Sequence, residues 1–326
     1  MNGFEIILPF LRPIERLILD PEISEIMVNG SERIFIEKLG HIQPIHDVTI
    51  SQKSLEVAVR NIARRLGDDI SEEKPILDSR LPDGSRVAAV LPPCSLNGVV
   101  LTIRKFNAKH FAIDDLVAGG TLPAGLAERL RLAILQHKNI LISGGTGTGK
   151  TTILTALSSF IPEHERVLVI EDTAEVQVRT PNLVRFESRR EQDGFSAVTI
   201  RELLRASLRH RPDRILLGEI RGAEAFDLLQ LLNTGHSGTI STVHANSAAQ
   251  ALSRFTSCVL ESGVELPYRA IKNNIADSLN IVVHLERRPG RRFVSEVVEI
   301  LGYKPEFDRY DLKPLFTRMG DTPCLP

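Results

Sequence analysis

Asn139 to Thr152 reads N-I-L-I-S-G-G-T-G-T-G-K-T-T. Ile140, Leu141 and Ile142 form an apolar run of strand length. Gly144, Gly145, Thr146, Gly147, Thr148 and Gly149 follow, then Lys150, Thr151, Thr152 and an apolar helical run. Gly144, Gly149, Lys150 and Thr151 satisfy the phosphate-loop spacing G-x-x-x-x-G-K-[ST]. Residues without a Cβ let backbone N–H groups turn inward around a polyphosphate. The helix N-terminus behind the loop adds partial positive charge. Lys150 is placed for the β- and γ-phosphates and Thr151 for Mg²⁺. A strand before and a helix after are the context this pattern requires, so nucleotide binding is expected.

The 326 residues are 42% hydrophobic with a formal net charge of −1, enough chain for about two ordinary domains. No apolar stretch approaches the roughly 18 residues of a membrane span, so no integral membrane segment is expected. M-N-G-F-E-I-I-L-P-F lacks the basic stretch that opens a secretory leader. Cys94, Cys258 and Cys324 lie far apart, which points to a reducing compartment and away from a structural zinc site. The near-neutral charge gives no footprint for nucleic acid.

Upstream of the loop, residues 1–106 read as an α+β domain. Leu11, Ile14, Leu17 and Ile18 predict a helix over 11–19. Three β-prone runs fill 24–45, and Leu55, Val59, Ile62 and Leu66 predict a helix over 51–66. Strands are expected at 86–91 and 99–104, after turn signals at Pro82-Asp83-Gly84 and Asn97-Gly98. Arg86 and Arg104 stand at their ends and, taken alone, read as solvated charges. Residues 107–122 read as a linker with a short helix ending at Gly119-Gly120, and 123–326 as the second domain.

Downstream, Val167–Ile170 is a continuous apolar run, as in a strand covered on both faces. It ends in Glu171 and Asp172. Ligands sit beyond the carboxyl ends of such strands, so these carboxylates face the phosphate loop if the strands are neighbours. Ten arginines and no lysine lie between Arg179 and Arg221. A phosphate, subunit or nucleic-acid surface and a mixed-charge face all fit them. Thr199 and Glu202 have capping-box spacing. Ile215–Leu217 is another buried run followed by Glu219, a carboxylate where phosphate-loop ATPases hold the attacking water. The aspartate common in that strand is missing, with Gly218 in its neighbourhood; Mg²⁺ is then held through water, or by Glu171 or Asp172. In G-H-S-G-T-I-S-T-V-H-A-N, I-S-T-V reads as a short strand that delivers His244 and Asn246 to the same edge as Glu219; His236 and His244 both read as functional, and a polar side chain just past such a strand can sense the γ-phosphate. A hairpin is expected about Pro289-Gly290, and the tail from Tyr303 reads as polar and irregular.

Together these motifs resemble the secretion-superfamily, or traffic, ATPases of type II and type IV secretion systems. G-G-T-G-T-G-K-T-T is similar to that family's Walker A box and V-I-E-D-T-A-E to its Asp box. R-P-D-R-I-L-L-G-E-I-R-G is similar to its atypical Walker B box, which has glycine for the usual aspartate, and G-H-S-G-T-I-S-T-V-H-A-N to its His box. T-V-H-A-N resembles the conjugation and Flp-pilus branch, with TrbB-like and CpaF-like systems both open. The resemblance implies an α+β N-terminal domain plus a RecA-like ATPase domain, ATP and Mg²⁺ as ligands, and a homo-hexameric ring. It implies inner-membrane secretion or pilus platform proteins as partners, with a cytoplasmic, membrane-peripheral location. It also implies that Arg86 and Arg104 reach the phosphates. The expected reaction is in-line attack of water on ATP, with Glu219 orienting or deprotonating the water, Glu171 supporting metal or water, and the 107–122 linker acting as hinge. An ATP-dependent switch and a DNA-binding RecA-like motor are the rival readings. The absence of Trp and scarcity of Tyr weigh against direct nucleic-acid binding.

Overall fold

The computed structural model describes residues 3–38, 40–106, 111–189, 191, 195–319 and 322–324. The chain divides into two compact units, Met1–Lys109 and His110–Pro326.

The first unit opens with 3-10 turns at Gly3–Ile6, Leu8–Phe10 and Arg12–Ile14 and a short helix α1 (Glu15–Leu19). The single helix expected over 11–19 is thus broken. Pro13 sits in the first turn of a 3-10 segment, where it lacks the N–H a continuing helix needs. The four apolar residues of that reading are all buried nonetheless. Strands β1 (Ile23–Asn29), β2 (Arg33–Lys38) and β3 (His41–Ile45) precede α2 (Gln52–Arg65), whose N-terminus is capped by Ser51 Oγ accepting from Ser54 N–H. Then come β4 (Ile76–Arg80), unanticipated, β5 (Arg86–Val90) and β6 (Val100–Arg104). The sheet order is β3-β2-β1-β6-β5-β4, with every neighbouring pair antiparallel. Its buried side alternates along β2, β5 and β6, and α2 contributes Leu55, Val59 and Ile62 to the same core.

The second unit begins with α3 (Ile113–Ala118) and α4 (Ala124–Leu135). Ile113, Leu116 and Leu122, from the stretch read as a linker, are buried in this unit's core; residues 107–110 of that stretch lie outside the described residues. Next come β7 (Ile140–Gly144), α5 (Lys150–Ser158), β8 (Val167–Glu171), β9 (Leu183–Glu187), α6 (Ile200–Ser207) and β10 (Arg214–Ile220). They are followed by α7 (Glu224–Asn233), β11 (Ile240–Val243), α8 (Ala248–Leu260) and α9 (Tyr268–Ser278). Strands β12 (Ile281–Arg288), β13 (Arg291–Lys304), β14 (Arg309–Met319) and β15 (Thr322–Cys324) complete the unit. The tail expected to be irregular from Tyr303 is therefore mostly strand: β14 pairs along β13 from Lys304–Arg309 to Glu296–Thr317.

The sheet order is β15-β14-β13-β12-β7-β11-β10-β8-β9, parallel from β12 through β9 and antiparallel from β12 outward to β15. Every residue of β7, β8 and β11 is buried, as a sheet covered on both faces demands. This is the doubly wound, RecA-like arrangement. Two clusters fill the opposite faces, one around Leu154, Ile142 and Val283 and the other around Phe255, Leu217 and Leu229. All three tyrosines of the chain surround Lys272, whose Nζ lies 4.9 Å from the Tyr268 ring, 5.2 Å from Tyr303 and 5.5 Å from Tyr310. That cage fastens α9 to the β13–β14 turn.

Candidate nucleotide site

The carboxyl edge of the parallel sheet gathers the site. β7 enters the phosphate loop and α5 leaves it. Gly147 (φ 69°) and Gly149 (φ 94°) adopt left-handed backbone, which glycine enters without a Cβ clash. The hydroxyl of Thr148 donates to Gly145 O at 2.9 Å and closes the loop from within. Lys150 Nζ donates to the carbonyl oxygens of Gly144 and Gly145, both at 3.0 Å, so the ammonium is held over the loop.

β11 lies beside β7 and β10 lies beside β11, so their carboxyl ends deliver His244 and Glu219 to the edge that carries the loop. The His244 ring bridges Lys150 and Glu219, with Nε2 3.3 Å from Lys150 Nζ and 2.7 Å from Glu219 Oε1. Burial, with the Lys150 ammonium second, holds the imidazole below its ordinary range, against the raising influence of Glu219. Beyond the His244 contact, Glu219 Oε1 is a buried acceptor without a hydrogen-bond partner among the described residues. Its other oxygen accepts from Arg221 Nε and lies 2.8 Å from Arg221 Nη2. Arg221 Nη1 reaches Asp172 Oδ2 at 3.2 Å, and Ser188 Oγ donates to Asp172 Oδ1 at 2.7 Å.

Several expectations shift in detail. β8, which carries Glu171 and Asp172, is separated from β7 by β11 and β10, so the two strands are not neighbours. Asp172 joins the site through Arg221. Glu171 does not face outward: its Oε1 accepts the N–H groups of Glu175 (2.8 Å) and Val176 (2.7 Å), and Arg185 Nη2 stands 3.5 Å from Oε2. Burial pushes its pKa up. The strand residue beside it is Gly218, where an added Cβ would lie 2.9 Å from Glu171 Cγ, so any side chain there would have to move Glu171. His236 lies before the amino end of β11, the opposite edge from His244, with Nδ1 3.4 Å from Thr234 Oγ1. Of the ten clustered arginines, Arg185, Arg201, Arg205, Arg214 and Arg221 pair with carboxylates of this same unit, which fits a mixed-charge face. Arg190 lies outside the described residues.

In the first unit, Arg86 and Arg104 stand directly opposite one another across β5 and β6. Arg80 on β4 extends the row by pairing with Arg86. Paired residues share a face, so these cations form one basic row at the sheet end. Sequence reasoning missed Arg80 because β4 itself was missed. It also passed over Arg221 and Ser188, although Arg221 stands two residues past Glu219.

The residues fit a Mg²⁺–nucleotide. The loop is a cradle of glycine backbone, and the orphaned Glu219 oxygen awaits a donor such as a water. Among the described residues no three His, Cys, Asp or Glu side chains cluster as a metal cage. Mg²⁺ needs none, since it commonly keeps several waters and is held by one or two protein oxygens plus phosphates.

A family model described as "Type II/IV secretion system protein" matches residues 10–299. The chain is 35% identical to the conjugal transfer protein TrbB of Rhizobium radiobacter over 289 residues, 87% of this chain and 86% of that protein. It is 33% identical to the type IV secretion system protein VirB11 of Bartonella henselae over 328 residues, 90% of this chain and 92% of that protein. The solved ATPase DotB of Legionella pneumophila shares the fold, with a TM-score of 0.63 and 21% identity over 90% of this chain and 81% of that one. The phosphate loop, the four boxes and this breadth of similarity agree: the chain belongs to the type II/IV secretion system protein family, as an ATPase of its conjugation branch.

Proposed function

We propose that the chain hydrolyses Mg·ATP in a homo-hexameric ring and that the released energy drives type IV secretion or conjugal transfer. The ring would work at the cytoplasmic face of the inner membrane, against membrane platform proteins. Among the described residues no helix is long and apolar enough to cross a membrane itself. The observation that carries the catalytic reading is the Lys150–His244–Glu219 cluster at the mouth of a glycine cradle, with one buried Glu219 oxygen still lacking a donor.

The loop amides and Lys150 would hold the phosphates, and Thr151 would hold Mg²⁺. Mg²⁺, when bound, neutralises charge on the phosphate oxygens. Glu219 Oε1 accepts a proton of the attacking water, while Arg221 fixes the carboxylate through Oε2. His244 links Lys150 to Glu219 and is suited to sense the terminal phosphate. Glu171 supports the site indirectly by holding the backbone at Glu175 and Val176, and Asp172 supports it through Arg221 or would help to hold Mg²⁺. Arg86 and Arg104 are proposed to offset charge on the transferring phosphoryl group.

The test is steady-state turnover beside nucleotide titration. Glu219→Gln should lower kcat by about 10²-fold or more with ATP affinity kept, the loss expected on removing a general base. Lys150→Ala should lose binding as well. Near wild-type turnover in Glu219→Gln would remove that residue from the chemistry. A wild-type protein that binds ATP without any turnover would favour the switch.

A further inference from the structure

The phosphate loop has two flanks. On one, β11 and β10 deliver His244 and Glu219. On the other, β12 runs parallel to β7 until Leu285 pairs with Gly144, then continues past the loop and turns into β13. The turn reads R-R-P-G-R-R over residues 287–292. Register sorts the four arginines by face: Arg287 stands opposite Arg292, and Arg288 opposite Arg291. Because side chains alternate along a strand, the two pairs point to opposite sides.

Arg288 and Arg291 lie over the Phe293 ring, 5.4 and 5.5 Å from its centroid. The other pair takes the loop side. A Cβ added to Gly147 would stand 2.8 Å from Arg287 Nη1, and one added to Gly149 would stand 4.0 Å from Arg292 Cδ. Both arginines are exposed.

We propose that Arg287 and Arg292 form a second cationic wall of the nucleotide site and hold the α-phosphate end of the bound nucleotide. This rests on the nucleotide reading above. Strand order sets the direction. The hydrolytic groups stand on the β11–β10 flank, so the terminal phosphate lies there. A polyphosphate crossing the loop leaves it on the β12 flank, where two planar guanidinium forks meet it. The pair acts on binding, not on bond cleavage. ADP and ATP both carry the α-phosphate, so both depend on it.

The experiment compares the full wild-type chain with R287Q/R292Q, R287K/R292K and R288Q/R291Q, by titration with Mg·ADP and by ATP turnover. R287Q/R292Q should weaken ADP binding and raise KM for ATP by at least about tenfold, the loss of one or two charge-assisted contacts. Its kcat at saturation should stay within about twofold of wild type, the signature of lost uniform binding. R287K/R292K should recover part of the affinity. R288Q/R291Q, on the Phe293 face, should bind like wild type. Unchanged ADP affinity in R287Q/R292Q overturns the proposal. So does an equal loss in R288Q/R291Q, which would report hairpin integrity instead of contact with the nucleotide. If the wild-type chain itself binds no ADP, the nucleotide reading has failed, and that result is distinct from either.

Discussion

Gly218 shows how one absent side chain shapes the site. Its backbone lies against Glu171, whose carboxylate is already committed to the N–H groups of Glu175 and Val176. An aspartate here would have to displace Glu171 from the buried N–H of Val176 and the half-buried N–H of Glu175. Gly218→Asp should therefore cost about 1–3 kcal/mol of stability, in the range of core overpacking. Urea unfolding reads it directly; a variant as stable as wild type would mean that Glu171 swings aside freely. The sequence shows a glycine where an aspartate is usual, and resemblance to a family box makes that ordinary. The reason lies in a residue 47 positions away, which only the packing of β8 against β10 brings near.

Strand β12 carries a second buried titratable group. Its His284 is 3% exposed, and its Nδ1 lies 2.9 Å from Ser143 Oγ on β7, just before the phosphate loop. Burial holds His284 below the ordinary histidine range, against the raising influence of Glu286 and Glu296. The unfolded chain takes up a proton near pH ~6.5, while the folded one resists until lower pH. This contribution is thus fully present above about 6.5 and is lost as pH falls below it. His284→Gln should flatten the decline of the urea midpoint between about pH 7 and 5. An unchanged slope would assign the decline to His244, which is shifted in the same direction, or to the carboxylates. Other elements were legible to different degrees. The buried parallel strands announce themselves as continuous apolar runs. β9 escaped because it is an edge strand with the pattern L-V-R-F-E, whose charges read as surface. β14 escaped because its partner β13 supplies the pairing that its own polar pattern does not suggest.

The whole protein is two compact units with different chemistries: a basic row ending one antiparallel sheet, and a nucleotide cradle on the edge of a parallel one. The proposed ring motor needs both. Arg104→Ala should lose most turnover while ATP affinity is kept, since a supplied arginine is worth about 10³–10⁵ in rate in related phosphoryl transfer. Near wild-type kcat would remove the row from the mechanism. Turnover per protomer should also rise with protein concentration to a plateau if sites are completed between subunits. A flat, appreciable rate would mean a self-sufficient protomer or a ring already formed at the lowest concentration.

By itself the sequence determined the glycine-rich loop between strand and helix, the buried strands that lead to Glu219 and His244, and the family. Each of these is a local pattern, in which glycine spacing and apolar run length follow from backbone sterics and burial. Tertiary structure alone decided which groups meet. The order β12-β7-β11-β10-β8 sets His244 between Lys150 and Glu219, moves Asp172 behind Arg221 and turns Glu171 inward. It also swings the arginine hairpin beside the loop. Adjacency across a sheet depends on which strands cross over, and residues 143 positions apart, such as Gly149 and Arg292, carry no mark of it in their own neighbourhoods.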